Sequence, residues 1–152
     1  MDTKKVIAAL NNVIALEHTA VLQYKQHALL VSGLWRKVFA DFLFSQSKSA
    51  MEHAEKFGQK VVALGGVPTV EVGTVRQATD LEEMLGQDLA LEKEAMQAYL
   101  NAHALTEGDI ALRTMLESQI ESEQHDIEEL EMYLGMIKTK GVEREVNIRR
   151  VK

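Results

Sequence analysis

The chain has no cysteine, one proline and nine glycines in 152 residues, and aromatic side chains make up only 5%. Each shortage excludes something. Without cysteine there are no disulfides and no thiolate metal sites, which fits a cytoplasmic protein. With so little proline and glycine, long helices can run unbroken. Positive charge is also short. The formal net charge of -6 argues against nucleic acid as the main partner. The basic end (Arg149, Arg150, Lys152) is too small to reverse that. No stretch reads as long and apolar enough to span a membrane. The opening MDTKKVIAAL passes directly into an amphipathic pattern, with no signal segment. What is present in ordinary amount is apolar residue, 46%, enough for one globular domain with a real core.

Four segments repeat at helical period. Residues 4–31 carry the stripe Val6, Leu10, Val13, Glu17, Ala20, Tyr24, His27, Val31. Ser32-Gly33 breaks it. A second helix over roughly 35–63 carries Phe39, Phe42, Gln46, Ala50, His53, Phe57, Val61, with Leu64 just beyond. So short a break makes the first two helices an antiparallel hairpin. Then comes GGVPTVEVGTVRQATD, the one long irregular stretch. Its sixteen residues can reach about 50 Å at roughly 3.3 Å each, against about 45 Å for a thirty-residue helix. The linker can therefore return along the whole bundle, which makes helices two and three parallel. Thr79 with Glu82 reads as a capping box for the third helix. That helix, to about Thr106, has the inward stripe Leu85, Asp88, Glu92, Ala95, Tyr99, Ala102. After the turn Glu107-Gly108-Asp109, the fourth helix over about 110–139 carries Leu112, Leu116, Gln119, Glu123, Asp126, Leu130, Tyr133, Ile137. Lys138, Lys140 and Gly141 suit its end. The expected class is all-α: a four-helix bundle over residues 1–140 with a long crossover, then a tail over 141–152 that is either a short helix or an extended arm.

Each stripe is interrupted near its middle by a polar group: Glu17, His53, Glu92, and Glu123 with Asp126. A carboxylate in an apolar stripe is expensive to bury without a partner. Any one of these residues alone reads more naturally as a hydrogen-bonded core histidine or a solvated glutamate. Four helices agreeing at matching heights point to a built polar centre. Carboxylates and imidazole are the ligand set for iron or manganese. A di-metal carboxylate bundle takes a Glu from each of two helices and Glu-x-x-His from each of the other two. Helices one and three fit; helix four offers Glu123-x-x-Asp126, and helix two offers Ala50-x-x-His53. His125 and Glu121 stand two positions from Glu123, about 160° around the helix, and so belong to the wet face with Ser118, Ser122 and Glu129. Glu52 is about 100° off the His53 direction. A second face of helix two, Ser47, Met51, Ala54, Gly58, Val62, is small and apolar and suggests a helix–helix dimer contact. A methionine thioether there can also hold haem iron.

Over residues 3–140 the chain resembles the bacterioferritins, haem-containing iron-storage ferritins. The resemblance rests on KKVIAALNNVIALEHTAVLQYKQHAL, MEHAEKFGQKVVALGGVPT, DLEEMLGQDLALEKEA and ESEQHDIEELE. It implies a ferritin-like bundle and a ferroxidase centre in which Glu17 and Glu92 match the terminal carboxylate ligands. His53 matches one histidine ligand, Glu123 a bridging carboxylate, and Tyr24 a tyrosine beside the iron. Met51 matches the methionine that, with its symmetry mate, ligates haem at a two-fold interface. The family assembles as dimers that build a hollow shell of twenty-four chains.

The chain departs from the pattern where it has Ala50 for the other bridging glutamate and Asp126 for the second histidine. Ser45 and Ser49 replace stronger inner-surface ligands. Asp126 can still bind metal; Ala50 cannot bridge two. A bridge offsets the repulsion of two cations, so its loss weakens the pair. Two expectations follow. The chain is a bacterioferritin-like protein that oxidises Fe(II) with O2 or peroxide and stores or sequesters the iron, as a homodimer or a 24-chain shell. Alternatively, it is a non-enzymatic haem- or single-metal-binding subunit with a degenerate di-iron site, co-assembling with another ferritin subunit.

Overall fold

Four runs of helical periodicity become four helices. The structure, a computed structural model, describes the backbone of residues 1–150 and the side chains of residues 1–135. Helix α1 spans Thr3–Leu30, α2 Arg36–Ala63, α3 Leu81–His103 and α4 Ile110–Arg150. A single 3-10 turn, Gly33–Trp35, joins α1 to α2. No strand occurs among the described residues. The expected all-α bundle is the observed fold.

Aspartate starts three of the helices. Asp2 accepts from the Lys5 amide at 3.2 Å and Asp109 from the Leu112 amide at 2.9 Å. At α3 the cap is Asp80, accepting from Glu83 N at 3.1 Å, and not the expected Thr79–Glu82 box. Aspartate caps at least as well as threonine, and here it stands immediately before the first helical residue. Gly65, with φ +82, ends the α2 turn in the left-handed region that glycine adopts without strain. α3 stops at His103, short of the expected Thr106, and α4 continues to Arg150, past the expected end at 139. Gly141 costs a helix only about 1 kcal/mol, and no proline follows it. The side-chain roles expected of Lys138 and Lys140, and the tail 141–152 as a separate unit, lie outside the described side chains.

The crossover runs the length of the bundle, as its reach predicts. Asn11 bonds the Val67 carbonyl and the Thr69 amide. His18 meets the Glu71 carbonyl at 3.0 Å, Thr19 takes the Gly73 amide at 2.8 Å, and Gln23 takes the Arg76 amide at 3.0 Å. Both sequences ascend together, so the crossover is parallel to α1. The pairs Gln23–Asp88 and Glu17–Tyr99 make α3 antiparallel to α1. The pairs Ser47–Val21 and His53–Glu17 do the same for α2. Helices α2 and α3 are therefore parallel.

α1 corrects one expectation. By length and composition it could cross a membrane, with a window of mean hydropathy 1.2. In the fold it packs on α2, α3 and the crossover, and it buries Glu17, Gln23 and His27 on its inner face with hydrogen-bond partners. The apolar core lies in two parts. One, towards the α3–α4 turn, contains Leu10, Val13, Phe57, Tyr99 and Leu116. The other, towards the α1–α2 turn, contains Tyr24, Phe39, Leu43, Leu85 and Leu130. Glu17, His53, Glu92, Glu123 and Asp126 sit between them.

Candidate metal centre

One cavity is lined by Glu17, Gln46, Ser49, Ala50, His53, Glu92, Glu123 and Asp126. Every helix contributes, because each places its polar interruption at the same height. Glu17 and Glu123 are 3% and 1% exposed, so neither is a surface carboxylate. His53 Nδ1 lies 3.5 Å from Glu17 Oε1 and 3.6 Å from Glu123 Oε1. One ligand atom from each of Glu17, His53 and Glu123 falls within 4.8 Å of the others.

Buried hydroxyls orient two of the carboxylates. Tyr99 donates to Glu17 at 2.5 Å, and Tyr24 donates to Glu92. The two tyrosines stand on the two antiparallel inner helices and reach across to each other's carboxylate. On the α4 side, Gln119 donates to Glu123 Oε1 at 3.0 Å, and its amide nitrogen lies 3.2 and 3.1 Å from the two nitrogens of His53. Gln46 donates to Asp126 Oδ1 at 3.3 Å. Glu123 Oε2 is buried with no partner. An orphaned carboxylate oxygen inside a bundle is costly unless something cationic meets it.

The electrostatics agree. Burial, helped by the charges of Glu17 and Asp126, moves Glu92 up to about 7 from its ordinary 4.5, against the downward pull of the hydrogen bonds it shares with Glu123 and Tyr24. Burial and the charges of Glu92 and Glu17 push Glu123 higher still. Burial also raises Asp126. Burial pulls His53 down, but Glu17, Asp126 and Glu92 outweigh it, and the net direction is up. Without a cation the cluster holds extra protons. A divalent cation would displace them and supply the missing charge. The donor set, two carboxylates and an imidazole with a further carboxylate on either side, fits one Fe(II)- or Mn(II)-like ion well. It fits a bridged pair less well, since Ala50 brings only a methyl group to the cavity wall.

Of the residues expected from sequence, Glu17, His53 and Glu123 converge most closely. Glu92 and Asp126 line the same cavity outside that trio. Glu52, Glu121 and His125 are exposed, in keeping with their angles on the helices. Two contributors were not singled out as site residues: Tyr99 and Gln119. Both lie on the inward stripes, and a hydroxyl or amide one or two turns from a buried glutamate was the available signal.

The second face of α2 needs correction. Ser47, Ala54 and Gly58 are buried, and only Met51 and Val62 are exposed. Ser47 bonds the Val21 carbonyl, and Gly58 lies under Pro68 of the crossover. This stripe is small because its own chain covers it. Met51, 51% exposed, opens beside an apolar groove formed by Val21, Leu22, Val70 and Val72, with His18 at its edge.

The ferritin-like domain family matches residues 7–139. Bacterioferritin from Streptomyces coelicolor is 30% identical over 141 residues, covering 90% of this chain and 84% of that protein. Bacterioferritin from Mycolicibacterium paratuberculosis is 28% identical over 142 residues, covering 91% and 89%. A solved ferritin-like, diiron-carboxylate protein from Bacillus anthracis superposes with a TM-score of 0.85 at 32% identity, covering 88% of this chain and 98% of that one. The chain belongs to the bacterioferritin and ferritin-like family.

Proposed function

We infer that this chain binds Fe(II) at the buried centre and oxidises it, with O2 or peroxide taking the electron, and that it stores or sequesters the product. The observation that carries this reading is the convergence of Glu17, His53 and Glu123 around the unpartnered Glu123 oxygen. Glu92 and Asp126 supply further carboxylate to the same cavity. Anionic donors stabilise Fe(III) over Fe(II), so a carboxylate-rich pocket favours loss of the electron. Buried tyrosine hydroxyls hold Glu17 and Glu92 in place.

Aerobic Fe(II) addition to metal-free protein, followed by the near-ultraviolet rise of Fe(III) against a protein-free blank, tests the reading. A fast phase that disappears in Glu92→Ala and Glu17→Ala supports it. A wild-type rate equal to the blank overturns it.

One observation favours a second reading. Ala50 gives no bridge between two ions, which suits a subunit that binds one metal without turnover. In that case iron binds at one per chain and no fast oxidation follows. Haem at Met51 is a separate element of both readings, supported by the exposed thioether beside an apolar groove. Expression with ample haem should give haem absorbance that Met51→Ala lacks.

A further inference from the structure

We propose that Gln119 sets the number of ions the buried centre takes: it engages one oxygen of Glu123 and so makes that carboxylate a terminal ligand rather than a bridge between two metals. The inference deepens the buried-centre reading above and rests on it. Two cations held close together repel, and a bridging carboxylate offsets this by giving one oxygen to each. Here the two oxygens of Glu123 are not equivalent. Oε1 accepts from the Gln119 amide at 3.0 Å, whereas Oε2 has no hydrogen-bond partner.

The amide is fixed from both ends. Its carbonyl oxygen faces Lys56 Nζ at 3.5 Å while its nitrogen faces the carboxylate, so the two contacts agree on which way round it stands. Lys56 is itself placed over the Phe57 ring, 5.4 Å from the centroid. The helices explain the arrangement. Gln119 stands one turn before Glu123 on α4, and Lys56 stands one turn after His53 on α2. Gln119 is 3% exposed, so its hydrogen bonds are made in the interior, where breaking one is costly.

The same amide spares His53. Its nitrogen is nearly equidistant from the two ring nitrogens, at 3.2 and 3.1 Å. In the ring plane it would collide with the carbon between them. It therefore lies over the ring face and leaves the in-plane lone pair open to a cation. Gln119 thus hinders a second ion without closing the imidazole to the first. Ala50 removes one bridge, Gln119 engages the other, and the Lys56 ammonium adds a positive charge behind it.

Mn(II) titration of metal-free protein, read by calorimetry and by electron paramagnetic resonance, tests this. Wild type should bind one buried Mn(II) per chain and show the spectrum of an isolated ion. Gln119→Leu keeps the bulk and removes the donors. It should tighten a second ion by about 10–100-fold, the size seen when the outer partner of a ligand is changed, and give the coupled spectrum of a Mn(II) pair. Lys56→Met, at the edge of the site, should shift the second ion the same way by a smaller factor, and it keeps the test open if Gln119→Leu does not fold. A merely structural Gln119 would lower stability without producing a coupled pair. Variants that keep the wild-type stoichiometry and the isolated-ion spectrum overturn the proposal. So does a wild type that already shows a coupled pair. A wild type that binds no Mn(II) overturns the buried-centre reading itself, and this inference with it.

Discussion

In the proposed centre the chemistry turns on Glu123, which is enclosed and has one oxygen with no partner. Its pKa, with those of Glu92, Asp126 and His53, is raised in the fold. A group with a raised folded pKa binds more protons in the native state than when unfolded. The stability it gives is therefore complete below its ordinary value and is lost as pH rises through the folded one. Metal-free protein should accordingly melt at progressively lower temperature from about pH 5 to about pH 8, the window set by an ordinary 4.5 and a Glu92 value of about 7. Excess Mn(II) should raise the midpoint more at the alkaline end. A melting temperature that is flat or rises with pH in the metal-free protein would contradict this. Tyr99→Phe removes the hydroxyl that holds Glu17. Metal affinity should fall by about 10–100-fold, with a stability loss of about 1.5–3 kcal/mol. Titration calorimetry and denaturant melts check the two separately.

At the scale of the element, the inward stripes were legible because a buried helix face must repeat every three or four residues. Glu17, His53, Glu92 and Glu123 interrupt that repeat where little else would. The partners of those residues were not legible. Tyr99 stands 82 residues from Glu17, and nothing local in the sequence encodes that pairing. The small face of α2 misled for a related reason. Smallness reads alike whether a second molecule or the crossover's own Pro68 covers it. The α3 cap was misread by one position because Thr79 and Asp80 are both good caps. The difference is measurable. Asp80→Ala should cost about 1 kcal/mol in a denaturant melt, and Thr79→Ala should cost clearly less. Equal losses would argue that Thr79 shares the cap.

At the scale of the molecule, the crossover makes the centre possible. It returns the chain along α1 so that α3 can lie antiparallel to it and set Glu92 opposite Tyr24. Its length was readable from residue count alone, whereas its anchors on Asn11, Thr19 and Gln23 were not. Two apolar half-cores flank the polar layer. They hold the four helices on either side of it and so fix the donor spacing. The central claim is that Glu17, His53 and Glu123 hold one ion. Its most direct test is an anomalous difference map, taken at the iron edge, from crystals soaked anaerobically in Fe(II). The prediction is a strong peak within bonding distance of His53 Nδ1 and of both glutamates. A map with no peak in that cavity, from crystals that have taken up iron elsewhere, would contradict it.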